Sequence, residues 1–425
     1  MTKPPRKIIF ALGSLCATLA AVAAAMIYAA PTVSFQRSDA DTLIAATTPQ
    51  KPVVQHIATP SSVKAIYMTQ CVVGTPSFRE SLVQFIESSP QLNAVVIDIK
   101  DFSGGIAFHS DNPLLKDFIS KKCGAYDMKE FVTTLHDKGI YVIGRITVFQ
   151  DPMYAAAHPE LAVQRKCADS TGSTGSPQAG SRTCGVWHDN KGLAFIDVSA
   201  KPFWDYIVEL SKVSYEEFGF DELNYDYMRF PSDGPMDLAI YSHSDGTSKE
   251  NRLEEFFQYL NSKLKTTGVV TSVDFFGYVT VHTDDLGIGQ VLERALPYFD
   301  YICPMVYPSH YNSGFAGLKN VNSNPGLVVK TSMREAVRRI VSTTTVNYSF
   351  NATPIASTSP QLYEKPSYDA SKMRPWLQAF DYPVPYSAEM IQAQITANEE
   401  AGLDSYLMWD AANKYTSLRE LLVTE

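Results

Sequence analysis

The chain has 425 residues, 45% hydrophobic and 19% charged, with a formal net charge of −9. That is ordinary globular composition with enough apolar material for a large core. No basic stripe runs along it, which excludes nucleic acid as a partner, and the acidic balance fits a strongly anionic substrate poorly unless a local basic pocket overrides it.

Lys3, Arg6 and Lys7 precede an uncharged run from Ile8 to Ala30. Such a run is long enough to span a bilayer as one helix. The positive flank predicts that this end stays cytoplasmic and the rest of the chain is exported. Ala23-Ala24-Ala25 offers a competing reading, a cleaved signal peptide and a secreted product. The first expected unit is therefore an anchor or signal segment, residues 1–30. Residues 31–61 are rich in Thr, Ser, Pro, Ala and Gln without helical periodicity and read as a flexible linker. Residues 62–425 form the third unit, a single catalytic-type domain.

Within that unit strand and helix patterns alternate in chain order. KAIYMTQ (64–70) reads as a strand and 77–89 as a helix. Then follow strand 93–101, helix 128–139 stopped by Gly139, and strand 141–149. Helix 201–219 leads to strand 221–230, and helix 253–268 to strand 269–279. A short helix at 288–299 leads to strand 300–308, and a helix at 332–343 to strand 374–380. Helix 387–402, strand 403–410 and a closing helix from Thr416 complete the series. About eight strands, each normally followed by a helix, predict parallel pairing and a closed (β/α)₈ TIM barrel of the α/β class. The alternative, an open doubly wound sheet, wants a Gly-rich turn after the first strand, and QCVVGTPSF does not supply one. Long loops are expected at 150–195, 231–250, 308–331 and 344–373. The first three leave the carboxyl ends of strands, where barrel enzymes build their sites.

Polar residues gather at those same ends: Asp98, Lys100 and Asp101 on strand two, Arg145 on strand three, Asn224, Asp226 and Arg229 on strand four. Asp274, Tyr307, Gln378, Trp409 and Asp410 follow on strands five to eight. Charges inside apolar strands are costly without partners, so their shared placement marks a site. Alternation puts Glu222, Asn224 and Asp226 on one face of strand four, with Leu223 and Tyr225 turned to the helices. Ser272 and Asp274 share the inward face of strand five. Neighbouring strands lie roughly 4.8 Å apart, so these two carboxylates can approach closely. Retaining glycosidases need roughly 5–5.5 Å between their carboxyl groups and inverting ones roughly 6.5–9.5 Å; the geometry leans towards retention, though side-chain reach can supply either. A like-charge pair at that range also raises one pKa, which makes a proton donor. The expected roles are Asp226 as nucleophile or base, Asp274 as general acid/base and Asp98 as substitute for either. Arg229 is expected to hold Asp226 ionised. Lys100, Arg145, Asn224, Arg229, Tyr307, Gln378 and Trp409 are the candidate substrate-binding residues. The competing reading is a buried ion network that only orients the barrel. Asp101 and Asp410 read as rim or capping residues.

Five cysteines lie outside the anchor, an odd number that leaves at least one unpaired within the chain. Cys167 and Cys184 bracket a loop of small and polar residues. A disulfide would staple that loop in an oxidising compartment; two free thiols are the alternative.

The ordered set AVVIDIKDFSGGIAF, GIYVIGRITVF, ELNYDYMRFPSDG, SVDFFGY, DYICPMVYPSHY, RPWLQAF and SYLMWDAANKY resembles a glycoside hydrolase family described as a domain of unknown function with a TIM barrel, related to the α-amylase-like hydrolases. The resemblance covers roughly residues 63–420 and implies a barrel acting on polysaccharide. In α-amylase-like enzymes a strand-four Asp is the nucleophile and a strand-five Glu the acid. Asp226 occupies the first position; Asp274, a shorter acid, stands at the second, and Arg229 follows Asp226 rather than preceding it.

The leading expectation is an enzyme cleaving O-glycosidic bonds of an extracellular or cell-envelope polysaccharide, by retention and without a cofactor or metal. Its membrane contact would run through residues 8–30. A non-catalytic carbohydrate-binding barrel is the second reading. A metal-dependent hydrolase using His109, His188, His282 or His310 is the third; no H-x-H or H-E-x-x-H motif supports it.

Overall fold

The computed structural model describes residues 54–167 and 183–423. The expected membrane segment at 8–30 lies outside the described residues, as does the linker up to residue 53. Among the described residues no helix is long and apolar enough to cross a membrane.

Eight parallel strands close into one barrel in chain order. They are β1 (Lys64–Met68), β2 (Ala94–Lys100), β3 (Tyr141–Thr147), β4 (Glu222–Asp226), β5 (Val270–Phe276), β6 (Tyr301–Val306), β7 (Trp376–Gln378) and β8 (Tyr406–Trp409). β1 pairs with both β2 and β8, which closes the cylinder and removes the open-sheet alternative. The main helices are α1 (Pro76–Glu87), α2 (Met128–Asp137), α3 (Lys201–Phe218), α4 (Lys249–Leu264), α5 (Leu292–Ala295), α6 (Pro325–Val341), α7 (Ala388–Glu400) and α8 (Thr416–Leu422).

Alternation along the strands separates two cores. Ala65, Tyr67, Ala94, Val96, Tyr141, Ile143, Cys303, Trp376 and Leu407 pack together inside the barrel. Ile66, Val95, Ile97, Val142, Leu223, Tyr225 and Val273 face the helices. α3 shows how such a helix is made. Pro202 opens it, and Phe203, Tyr206, Ile207, Leu210 and Val213 recur on one buried stripe. Gly219 ends it at φ 84°, a left-handed conformation that glycine adopts without a Cβ clash. Tyr225 on β4 donates to Ser211 of α3 at 2.9 Å, so β4 presents its odd-numbered residues to the helix layer.

Several boundaries differ from expectation for local reasons. α6 starts at Pro325 rather than 332, because Asn324 caps it by accepting from the Leu327 amide at 3.0 Å. β4 ends at Asp226 rather than 230, because Tyr227 takes φ 51° and turns the chain out of the sheet. The helix expected over 288–299 is one turn, α5. The expected long loops carry structure of their own. Gln164–Lys166, Thr183–Val186 and Ala239–Ile240 form one small sheet; Thr344–Thr345, Thr353–Pro354 and Tyr363–Glu364 form another. Cys167 and Cys184 are bonded, and a second disulfide joins Cys71 to Cys123. Cys303 is free and buried inside the barrel.

The described end of the expected linker, residues 54–61, is pinned beneath the barrel instead of standing free. The Ile57 amide donates to Asp221 Oδ1 at 2.8 Å, and the Thr59 hydroxyl meets the Tyr141 hydroxyl at 3.0 Å. Asp221 Oδ2 accepts from the Val142 amide and lies beside His136 Nε2, both at 2.9 Å. Burial opposes ionisation of Asp221, but the hydrogen bonds from His136 and His56 outweigh it and hold the carboxyl below its usual range. Asp221→Ala should therefore cost about 3 kcal/mol near neutral pH, since it strands buried donors. A depressed folded pKa gives stability that is present above about pH 4 and fades as pH falls through the folded value. Denaturant titrations of wild type and variant should differ most at neutral pH, and the gap should narrow as pH falls below about 4. A gap that stays constant between the two conditions refutes this account.

Candidate active site

The register of the sheet brings the polar strand ends together. Asp98 lies opposite Arg145, and Arg145 opposite Asn224. Asn224 lies opposite Ser272, and Asp274 opposite Cys303. One guanidinium sits at the centre. Arg145 Nη1 donates to Asp98 Oδ1 at 2.6 Å, its Nη2 donates to Asp226 Oδ2, and its Nε lies 3.9 Å from Asp274 Oδ2. It is 5% exposed, so these contacts act with little solvent screening. The expected partner of Asp226, Arg229, does not touch it; Arg145 takes that place.

Each carboxylate has a distinct environment. Asp226 Oδ1 accepts the amide of Tyr227 at 2.5 Å, a bond that the turn at Tyr227 makes possible. Asp274 Oδ1 accepts from Asn224 Nδ2 at 2.8 Å and from the indole of Trp376 at 2.7 Å. Its Oδ2 accepts from neither. Burial pushes the Asp274 carboxyl well above the usual range, and the nearby charge of Asp226 pushes it further. Asp98 accepts from the Tyr67 hydroxyl and from Arg145, so both of its oxygens are taken. Burial raises it to about 6 against the opposing pull of Arg145.

Above these groups opens a cleft of about 460 Å³ at the carboxyl ends of the strands. That volume suits a small-molecule or oligosaccharide site of roughly 300–1,000 Å³. Arg145, Asp226, Asp274 and Arg229 line it, with Tyr227, Phe276, Tyr278, Tyr307, Tyr311, Trp376 and Trp409 as aromatic walls. Gly277 also borders it, where a Cβ would fall 2.4 Å from the Tyr311 hydroxyl. A second hollow of about 440 Å³ continues past Tyr307, His310 and Trp409 towards Phe380, Lys414 and Thr416. A larger groove, about 630 Å³, lies between α6 and α7 and includes no residue of the barrel strands.

The candidate binding residues divide accordingly. Arg145, Arg229, Tyr307 and Trp409 line the cleft, whereas Lys100, Asn224 and Gln378 do not. Lys100 is fully buried and paired with Asp151 at 2.8 Å, because the ladder shifts register between Asp98 and Lys100. Asn224 stands behind Asp274 as its donor. Gln378 ties loops together, donating to the carbonyls of Phe380 and Tyr382 at 3.1 and 3.0 Å. Asp410 accepts three backbone amides of the turn after β8, a capping role. Of the four histidines considered as metal ligands, His310 borders the cleft and the others do not. Sequence reasoning passed over Tyr67 and the donor role of Trp376. Alternation in KAIYM places Tyr67 inward with Ala65, and that signal was available.

Arg229 is 7% exposed and lies over the rings of Tyr227 and Phe276, each 4.9 Å away. Among the described residues its Nη1 donates to the Phe230 carbonyl at 3.0 Å. Burial lowers its pKa. An aromatic face contributes about 0.5–2 kcal/mol to a cation, while removing an unpaired ion from water costs several kcal/mol, so the rings offset burial only in part.

A closed parallel barrel with clustered carboxylates and an aromatic cleft at its carboxyl mouth defines the class: a TIM-barrel protein built like glycoside hydrolases. The chain belongs to the family described as "putative glycosyl hydrolase domain", whose model matches residues 65–415. A hypothetical protein from Ruminiclostridium thermocellum is 30% identical over 52% of this chain and 98% of its own, with a TM-score of 0.40. The PgaB (BpsB) glycoside hydrolase domain from Bordetella bronchiseptica is 13% identical over 86% of this chain and 99% of its own, with a TM-score of 0.51. Alpha-L-fucosidase isoenzyme 2 from Paenibacillus thiaminolyticus is 10% identical over 85% of this chain and 49% of its own, also at 0.51. The last two share the fold. No curated protein matches the chain.

The raised pKa of Asp98 has a stability consequence. The folded state holds its proton more tightly than the unfolded chain, so stability is full below about pH 4 and declines as pH rises to about 6. The decline attributable to Asp98 is roughly 3 kcal/mol. Asp98→Asn should flatten that part of the pH–stability curve, measured by denaturant midpoints from pH 4 to 7. An unchanged slope contradicts the assignment.

Proposed function

We propose that this cleft hydrolyses O-glycosidic bonds of a polysaccharide with Asp226 as nucleophile and Asp274 as general acid/base, with retention at the anomeric carbon. The observation that carries the reading is the convergence of Asp226 and Asp274 on adjacent nitrogens of the Arg145 guanidinium at the floor of an aromatic cleft. Two carboxyl groups that share one small cation lie close together, as retention requires. Burial and the neighbouring charge favour the protonated form of Asp274, and Oδ2 is the oxygen left to carry the proton. Asp226 keeps an oxygen bound to a backbone amide and the other to Arg145, a fixed nucleophile. Tyr307 and Trp409 supply sugar-stacking faces. Asp98 acts on this reading as a positioning residue, orienting Arg145 and Tyr67. The hollow beyond Trp409 favours a chain of several sugars over a single one.

The proposal places the domain outside the cytoplasm. Two disulfides fit an oxidising compartment. Attachment through residues 8–30, or secretion after cleavage, is decided by mass measurement of the mature N-terminus. The division at residue 30 is part of the same proposal; the boundary expected at residue 61 moves to 54, because residues 54–425 form one compact unit.

The test is turnover of a polysaccharide panel. Asp226→Asn and Asp274→Asn should each lower kcat/KM about a thousandfold or more. Activity should fall as pH rises through the elevated Asp274 value, and that alkaline limb should vanish in Asp274→Asn. Trp376→Phe removes a donor to the carboxylate form, so it should move the limb to higher pH. The first-formed sugar should keep its anomeric configuration by NMR. Undiminished turnover in both Asn variants sinks the assignment.

A further inference from the structure

We infer that the cleft takes a glycan bearing an anionic substituent, a carboxylate, sulfate or phosphate ester, and that Arg229 with Lys191 is its receptor. The inference rests on the glycan reading of the same cleft and adds the charge of the substrate. Its basis is an imbalance among the lining side chains. Arg145 has Asp98 and Asp226 as ion-pair partners. Arg229 lines the same cleft, is more than nine-tenths buried, and among the described residues has no carboxylate within ion-pair distance; the charges of Asp226, Asp233 and Asp189 reach it only from further away and do not outweigh its burial. Lys191, exposed on the loop after β3, also lines the cleft without an ion-pair partner among the described residues. Two cations therefore face a cavity whose own acids are already engaged with Arg145.

Arg229 is held in place rather than free to swing out. The Met228 carbonyl accepts from Gln290 Nε2 at 3.2 Å, and the Phe230 amide donates to the Ile288 carbonyl at 2.9 Å. These bonds clamp the backbone on both sides of Arg229 against the loop after β5. The rings of Tyr227 and Phe276 flank the guanidinium and fix its plane. One Nη1 bond to the Phe230 carbonyl leaves the remaining N–H groups free to donate to two oxygens of a carboxylate, sulfate or phosphate. The overall net charge of −9 works against an anionic ligand at long range, so recognition must be local to this pair.

The experiment uses the full chain and four monosaccharides that share one ring: glucose, glucuronate, glucose 6-sulfate and glucose 6-phosphate. Binding is read by isothermal titration at neutral pH and low salt. At least one charged sugar should bind about tenfold more tightly than glucose. Which one does so distinguishes carboxylate, sulfate and phosphate as the source. Arg229→Gln should erase the ratio, with circular dichroism and Tm confirming that the fold persists. Lys191→Gln, an exposed change that leaves folding untouched, should reduce the ratio. No preference for any charged sugar, or a preference that survives Arg229→Gln, overturns the inference. Hydrolysis of neutral glycans without any charge preference removes this inference alone. Charge-selective binding lost in Arg229→Gln, with no glycan hydrolysed, removes the hydrolase reading and leaves the anion receptor standing.

Discussion

Everything at the mouth of this barrel is organised by one buried cation. Arg145 is the shared partner of Asp98, Asp226 and Asp274. Three carboxylates and one guanidinium cannot all be charged in a dry cavity without a large desolvation penalty. Burial therefore raises Asp98 and Asp274 while Asp226 keeps the close Nη2 contact. Proton storage at the site follows from this arithmetic of charge. Chemically identical side chains can take different roles where their surroundings push their proton affinities apart.

The rest of the barrel keeps that cation where it is. Lower in the cylinder a second buried pair, Glu222 with Arg374, is joined by Ser272 and Tyr141. Ser272 also accepts from Asn224, the donor to Asp274. A continuous polar ladder thus runs from the base to the level of Asp274 through residues that alternate inward on β4 and β5. Tyr67 stacks on Trp409 at 4.1 Å, and Trp409 lies 5.2 Å beneath the Arg145 charge centre. The aromatic wall accordingly supports the cation as well as lining the cleft. A change to either ring disturbs the electrostatics and the binding face together.

The barrel, its strand order and the inward acids were legible in the sequence because period-two alternation survives burial on both faces. ELNYD reads the same way in the structure as on paper: Glu222, Asn224 and Asp226 inward, Leu223 and Tyr225 outward. What escaped was everything decided by departures from regularity. The positive φ of Tyr227 ends β4 early and carries Arg229 away from Asp226. The register shift after Asp98 turns Lys100 to Asp151. Neither leaves a mark on hydrophobic periodicity. The Cys71–Cys123 disulfide joins residues 52 apart, a pairing that spacing alone does not specify.

The same departure that defeated the reading of strand four explains the shape of the site. A strand that continued regularly past Asp226 would keep pairing with its neighbours and leave no amide free for the carboxylate. Turning at Tyr227 frees that amide to bind Asp226 Oδ1 at 2.5 Å and swings Tyr227 and Arg229 to the cleft wall. A tyrosine in the left-handed region is strained, at a cost of order 1–3 kcal/mol. That cost is offset by a charge-assisted hydrogen bond and by the clamp between 228–230 and 288–290. Function and local strain thus share one residue: relaxing Tyr227 would free the backbone of its penalty but would move the proposed nucleophile's donor and the anion-facing guanidinium together.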